Sequence, residues 1–271
     1  EAAVLTIPTL MPPEGHTGSS YYDTPFQSIG ARGVNNLSSK LLMTLLPPNS
    51  PFFRLTIDDF DLQSLAGGEG ARGKVEEALA RIERAAMQEV EATAVRVPVF
   101  EALKQLIVSG NVLVHMPKDG GVRVFRLDRY VCQRDAMGNV LEIITKETVS
   151  PLMLPKEVQE LLTKPTGDSQ LKSVDLFTNV KRVNKKWEVH QEVEGQIIPS
   201  SLGSFPLDKS PFMSLRMVRI DGESYGRGYV EEFIGDLSSL ETLTKAIVEG
   251  SAAAAKVLFL VRPNGTTKAR V

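Results

Sequence analysis

This chain of 271 residues has a single cysteine, no large excess of either charge and no long apolar run. The only cysteine, Cys132, cannot form a disulfide within the chain, so the sequence predicts the reducing interior of a cell. Lysine and arginine number 31 against 33 acidic residues, a formal net charge of −2, which argues against a protein that coats DNA through a basic excess. With 42% hydrophobic and 24% charged residues, the composition is that of a folded globular protein and excludes a disordered chain.

Membrane and secretion signals are also missing. No stretch approaches the roughly 20 apolar residues of a membrane-spanning helix, and the most apolar run, Ala252 to Val261, contains Lys256. The N-terminal residues lack the basic and apolar regions of a signal peptide. The first residue is Glu1 rather than Met, and no terminating pattern precedes Val271, so we expect an excerpt of a longer chain. This length predicts one large module or two intermeshed ones.

Apolar residues at helical spacing predict three helices in the first part of the chain. The predicted helices cover residues 26–46, 74–93 and 98–109. Pro47-Pro48 ends the first helix, because proline cannot continue a helix. Gly110-Asn111 ends the third, because glycine tolerates the left-handed conformation of a helix end. A short strand is expected over Phe52 to Ile57.

After Gly110 the pattern changes to period two, which predicts an antiparallel sheet. The expected strands cover residues 112–116, 122–127, 130–134, 140–148, 174–183, 186–193 and 212–220, with a hairpin turn at Asn184. A short helix is expected over residues 151–162, and the Ser, Pro and Gly of residues 199–211 predict a loop. Helical spacing returns near Val230 and predicts one long helix to about Gly250, followed by a strand over 256–261. The fold class is therefore α+β.

One segment imitates a nucleotide-binding motif. Gly68 to Lys74 matches a phosphate-binding loop up to its lysine, but Val75 stands where such a loop needs the hydroxyl of Ser or Thr for Mg²⁺. Acidic and polar residues precede it, instead of the apolar strand that usually positions such a loop. We interpret it as a flexible loop before a helix. The alternative is a nucleotide-dependent enzyme that uses Gly68 to Lys74.

The remaining chemical residues do not assemble into a catalytic or metal-binding pattern. These residues are Asp58, Asp59 and Asp61, the scattered His16, His115 and His190, and the strand residue Cys132. Gly226-Arg227-Gly228 is too short for a dinucleotide fingerprint. The sequence therefore predicts no catalytic residue, no metal and no cofactor.

The polar face of the long helix is strongly acidic. It carries Glu231, Glu232, Asp236, Glu241 and Glu249 against the single Lys245. Two interpretations stay open, a solvated acidic face or a surface along which a polyanion passes. The second follows because contacts of Lys and Arg with phosphates are what make nucleic-acid binding tight.

Four stretches of the chain carry a resemblance to a known family. They are residues 24–37, 99–113, 131–140 and 216–229. In this order they closely resemble the portal proteins, or head-to-tail connectors, of short-tailed podoviruses of the autographivirus type. Because the stretches span nearly the whole chain, the match is far more specific than any single motif.

The resemblance implies the α+β portal fold, with a wing over residues 1–225, a stem helix over 226–255 and the start of the clip over 256–271. The returning stem helix, channel loop and crown would lie beyond these residues. It also implies a non-enzymatic ring, usually a dodecamer, at one capsid vertex of the virion, assembled in the host cytoplasm. Double-stranded DNA would enter through its channel during packaging and leave through it during ejection.

The resemblance further implies partners and sites. The partners are the terminase large subunit, a tail adaptor protein, internal core proteins and capsid or scaffold proteins, with no membrane. The acidic face predicts DNA-channel residues at Glu231, Glu232, Asp236, Glu241 and Lys245. A long helix needs apolar cover, which predicts inter-subunit packing by Val230, Phe233, Ile234, Leu237 and Leu240. Terminase and tail docking is expected at Lys256, Arg262, Lys268 and Arg270.

Overall fold

A computed structural model of the protein describes residues 25–48, 50–57, 69–118, 120–151, 154–155, 158–159 and 173–256. Helices and antiparallel sheets make up these residues, which confirms the α+β class. The chain divides into two compact units, Gly33–Glu232 and a second unit made of Glu1–Arg32 with Phe233–Val271. The boundaries of wing, stem and clip stay predictions.

Three helices come first, as expected. They are α1 (Ile29–Leu45), α2 (Glu69–Ala92) and α3 (Arg96–Ser109). Helix α2 begins at Glu69 instead of Lys74, so Glu69 to Lys74 are helical and the expected flexible loop is wrong for them. In a phosphate-binding loop the residues before the lysine form a non-helical, concave nest of backbone N–H groups, whereas Glu69 to Gly73 are already the first turns of α2. The nucleotide-binding alternative is therefore not favoured, because these residues lack the loop conformation that it requires.

The expected strand over Phe52 to Ile57 is wrong, because residues 51–57 form no regular secondary structure. The backbone N–H of Leu55 donates a hydrogen bond of 2.5 Å to the Glu83 carboxylate on α2. A helix side chain thus satisfies a group that a strand would pair with another strand.

The smaller sheet has three antiparallel strands in the order β2-β1-β8. These are β1 (Asn111–His115), β2 (Arg123–Phe125) and β8 (Phe212–Arg216). The central strand β1 is apolar on both faces: Leu113 packs into the core between the sheets, while Val112 and Val114 pack against Ala102 of α3. Strand β8 ends at Arg216, before the expected Ile220. The N–H of Met217 still bonds the carbonyl of Gly110 at 2.9 Å, but beyond Gly110, with its left-handed φ of 71°, the chain is helix α3 and offers no strand to pair with.

The larger sheet is an antiparallel meander in the order β3-β4-β5-β6-β7. Its strands are β3 (Tyr130–Arg134), β4 (Val140–Val149), β5 (Val174–Val183), β6 (Lys186–Val193) and β7 (Gln196–Pro206). The hairpin at Asn184 is confirmed. The expected loop over 199–211 is wrong as far as Pro206, because Phe205 pairs with Trp187 and Gly203 with Val189. Pairing with β6 overrides the weak strand propensity of these Ser and Gly residues.

The core lies between the two sheets. It is formed by Leu113, Phe125, Tyr130, Cys132, Ile143, Val180 and Trp187. The indole N–H of Trp187 donates to the carbonyl of Leu207 at 3.2 Å, so this large side chain is buried without losing its hydrogen bond. Burial of each valine, leucine, isoleucine or phenylalanine of this core stabilises the fold by about 1.5–3 kcal/mol.

The expected single long helix is interrupted. Helix α4 (Tyr229–Glu232) and helix α5 (Ile234–Ala254) are separated at Phe233, whose φ of −103° and ψ of 8° are not helical. Gly235, close to this break, has a weak helix propensity. Lys256 is not in a strand, and the rest of the expected strand 256–261 lies outside the described residues, as does most of the expected helix 151–162.

Candidate functional site

The most tightly constrained backbone follows the end of α3. Gly110 has a left-handed φ of 71°, and its N–H donates to the carbonyl of Leu106 at 2.9 Å. A Cβ at Gly110 would lie 2.2 Å from the carbonyl carbon of Arg227 and 2.4 Å from the nitrogen of Gly228. Only glycine combines this φ with such a close approach.

A buried amide side chain joins the same two backbone segments. The Asn111 side-chain NH₂ donates to the carbonyl of Gly226 at 2.8 Å, and its Oδ1 accepts from the N–H of Gly226 at 2.7 Å. Asn111 is only 2% exposed, so an unpaired amide there would be costly. A Cβ at Gly226 would lie 2.7 Å from the carbonyl oxygen of Val218. We call Gly110, Asn111, Gly226 and Gly228 the glycine junction.

Arg134 ties the loop that leads into the junction to both sheets. Its guanidinium donates to the carbonyls of Ser224, Gly138 and Ser214 at 3.0, 3.0 and 2.9 Å. The hydroxyl of Tyr225 accepts from the N–H of Cys132 at 3.1 Å. The loop before α4 is therefore held by hydrogen bonds to β3 and β8.

The junction leads directly into α4. Val230 on this short helix is buried, and α4 packs against α3. Arg227 forms ion pairs with Glu223 at 3.3 Å and with Glu231 at 3.6 Å. Their hydrogen bonds and charges raise the pKa of Arg227. Val230, expected at an interface between subunits, is thus already covered within its own subunit.

Helix α5 is different, because none of its side chains is buried. Leu237 and Leu240 are half-buried, whereas other apolar side chains on the helix are strongly exposed. The exposed ones are Ile234 (37%), Leu243 (62%), Ile247 (67%) and Val248 (48%), and Phe233 (53%) adjoins them. Water-exposed leucine and isoleucine along one long helix indicate a surface that another molecule covers.

Two of the expected channel residues hold the segment before α1. The carboxylate of Glu241 accepts the N–H of Phe26 at 2.7 Å, and the ammonium of Lys245 lies 5.9 Å from the centre of the Phe26 ring. Glu232 and Asp236 are exposed and form no ion pair with another described residue. Lys256 is exposed, while Arg262, Lys268 and Arg270 lie outside the described residues.

The described part of the chain holds no group of three or more His, Cys, Asp or Glu residues placed to share a metal ion. His115 stacks on Phe212 with ring centres 4.2 Å apart, and burial lowers its pKa. Cys132 is buried in the core. Among the helices described, none is long and apolar enough to cross a membrane.

Comparison with known proteins decides the family. The family model of bacteriophage head to tail connecting proteins matches residues 1–271. The chain belongs to this family. It is 43% identical to the portal protein of Enterobacteria phage T3 and 41% identical to that of Escherichia phage T7, over 99% of this chain and 51% of each relative. The portal protein of Pseudomonas phage phiKMV is 33% identical over 96% of the chain and 52% of its own length.

The chain thus spans about half the length of the curated relatives that it matches. The portal resemblance inferred from four stretches is confirmed. The glycine junction uses two of them, residues 99–113 and 216–229, which contain Gly110, Asn111, Gly226 and Gly228. From the sequence, Gly226-Arg227-Gly228 is weighed only as a dinucleotide motif. Its function in the fold is a close approach of two backbones.

Proposed function

We propose that this chain forms part of the subunit of a portal ring at one capsid vertex of a bacteriophage. The observation that carries the proposal is the exposed apolar surface of α5, which contains Leu243, Ile247 and Val248. In a ring, the same helix of neighbouring subunits stands side by side, so these side chains leave water on assembly. Family membership supports the same conclusion.

The ring proposal extends the predicted inter-subunit set. Phe233 and Ile234 are exposed and available, Leu237 and Leu240 are half-buried, and Val230 is buried against its own subunit. We therefore assign the contact between subunits to Phe233, Ile234, Leu243 and Ile247 in the first place. Twelve subunits are the number that the resemblance to portal proteins implies.

The experiment is native mass spectrometry of the full-length protein, followed by imaging of single particles. The expected result is a closed ring, with a dodecamer as the main species. A protein that stays monomeric at high concentration and in capsids would contradict the proposal. The isolated subunit serves as the mass reference.

The channel of this ring conducts double-stranded DNA during packaging and ejection. Of the five charged residues expected there, Glu231, Glu241 and Lys245 contact groups of their own chain. Asp236 lies one helical turn from exposed Phe233, an apolar side chain that needs cover, so we do not assign Asp236 to the water-filled channel. The assignment to the channel therefore rests on Glu232, whose negative charge repels phosphates and keeps the DNA from binding tightly.

Replacing Glu232 by lysine tests this assignment. The expected result is slower packaging that depends more steeply on salt, because each new contact with a phosphate releases counterions. Glu188→Lys, on exposed β6 surface, is the matched control. An unchanged packaging rate and salt dependence in Glu232→Lys would remove Glu232 from the channel.

The protein is a structural component and not an enzyme in this proposal. The terminase large subunit supplies the ATP hydrolysis and docks at the basic residues Lys256, Arg262, Lys268 and Arg270. The tail adaptor protein binds the same residues after packaging. Internal core proteins and capsid or scaffold proteins complete the vertex in the virion, which assembles in the host cytoplasm. Loss of terminase binding on replacing the four basic residues by alanine is the expected result, and unchanged binding would contradict the docking site.

A further inference from the structure

Two arginine side chains meet on the surface beside the glycine junction. A Cβ on Gly138 would lie 2.9 Å from Nη2 of Arg216 and 3.0 Å from Nη2 of Arg219. Both guanidinium groups therefore lie side by side over this glycine. Each also donates to a backbone carbonyl, Arg216 to that of Glu223 at 2.8 Å and Arg219 to that of Met137 at 2.7 Å.

No carboxylate among the described residues forms an ion pair with either arginine. Partial burial, and then the positive charges of Arg134 and Arg219, lower the pKa of Arg216. The backbone carbonyls fix the positions of the two guanidinium groups but supply no negative charge. Two like charges held together with N–H donors to spare form a site for an anion.

The neighbours of these arginines are apolar and exposed. Met137 is 76% exposed and Val218 is 36% exposed. Arginine together with methionine is typical of interfaces between proteins, whereas a surface for DNA needs further cations that follow the phosphates. The surface formed by Arg216, Arg219, Met137 and Val218, here the arginine patch, therefore fits a protein that offers a carboxylate beside an apolar side chain.

The start of α5 offers this combination. Asp236 lies in the first turn of the helix and is exposed without an ion-pair partner in the described residues, and Phe233 is 53% exposed. Three positions apart, the two side chains lie on the same side of the helix start. They complement the arginine patch in charge and in apolar character.

We propose that the arginine patch of one subunit binds Asp236 and Phe233 of the neighbouring subunit. The inference rests on the proposed ring. Because the two surfaces differ, the contact is head to tail, and such contacts generate closed rings when the rotation between subunits closes. Asp236 then faces a neighbouring subunit and not the channel.

A charge exchange in the full-length protein tests the contact. Arg219→Asp and Asp236→Arg each place like charges together, so each variant raises the concentration for half-assembly of the ring about tenfold. The double variant restores the ion pair in the opposite direction and returns this concentration to near the wild-type value. Arg182→Asp, an exposed arginine on β5, controls for the loss of a positive charge. Mass photometry over a dilution series measures assembly, and thermal unfolding checks that each subunit is folded.

Cross-linking gives a second, independent measurement. With Met137→Cys and Phe233→Cys in one chain, mild oxidation produces a ladder of linked subunits up to the ring, while either variant alone gives none. Wild-type assembly in the single variants, failure of the double variant to restore it, or the absence of a ladder would overturn the contact and leave the ring intact. Weaker DNA retention by Arg219→Asp with unchanged assembly would assign the arginine patch to DNA and overturn it as well. A wild-type protein without rings would instead contradict the proposed function.

Discussion

The glycine junction and helix α5 differ in how much of their surface is covered within the subunit. In the junction, Asn111 is buried, its amide is paired with the backbone of Gly226, and Gly110 leaves no room for a side chain. On α5 no side chain is buried, and Leu243 and Ile247 are more than half exposed. The conformation of the junction is therefore determined within the subunit.

The difference shows where each region gets its stability. Contacts of the junction are complete in one chain, so substitutions there act on the folding of the subunit. The apolar surface of α5 has no partner among the described residues, so in the proposed ring we expect substitutions there to act on assembly.

Gly110→Ala has the largest expected effect. The new Cβ collides with the backbone of Arg227 and also strains a φ of 71°. We expect the free energy of unfolding to fall by about 3 kcal/mol or more. Urea unfolding of the isolated protein measures it.

Gly195→Ala is the matched control for this prediction. Gly195 has a φ of 79°, but no atom would lie within 4 Å of its new Cβ. It therefore isolates the cost of the left-handed conformation, about 1 kcal/mol. Equal losses in the two variants would show that the close approach at Gly110 contributes nothing.

Asn111→Ala comes second. It leaves the N–H and carbonyl of Gly226 buried without the side-chain amide that pairs with them. The expected loss is about 2–3 kcal/mol in the same urea measurement. Asn36→Ala, on the exposed side of α1, should change stability by less than about 0.5 kcal/mol. A comparable loss in both variants would mean that the junction has no special weight.

Arg134→Lys is third. An ammonium group cannot reach the three carbonyls of Ser224, Gly138 and Ser214 that the planar guanidinium joins. We expect a loss of about 1–2 kcal/mol, seen as a lower melting temperature. Arg182→Lys, at an exposed arginine, is the control. If Arg182→Lys lowered the melting temperature as much as Arg134→Lys does, the hydrogen bonds of Arg134 would not be the cause of the loss.

The sequence predicts much of the secondary structure but little of the junction. Helix α3 and its end at Gly110 follow from periodicity and from the Gly-Asn pair, since these signals are local. Gly110 approaches Arg227 and Gly228, which are distant in sequence, so neither Gly110 nor Gly228 by itself indicates the contact. Pairing with β6 likewise decides β7, where the local Ser and Gly favour a loop.

For the candidate site, the sequence correctly predicts the family, and its periodicity predicts a helix over most of the residues of α5. It does not predict which of them are engaged within the subunit. Glu241 belongs to the acidic face by spacing, yet its carboxylate holds the N–H of Phe26, far away in the sequence. Spacing gives the side of a helix, whereas the partner of that side depends on the folded chain.

Leu243→Ala has the smallest expected effect on the subunit and sharpens the contrast most. Leu243 is 62% exposed, and alanine has the better helix propensity, so the free energy of unfolding should change by less than about 0.5 kcal/mol. The same change at fully buried Leu113 removes core contacts and should cost about 2–5 kcal/mol. Ring assembly of the full-length protein should respond in the opposite order, with a clear loss for Leu243→Ala once the folded fraction is taken into account. If Leu243→Ala assembled like the wild type, the exposed apolar surface of α5 would have to be covered by something other than a neighbouring subunit.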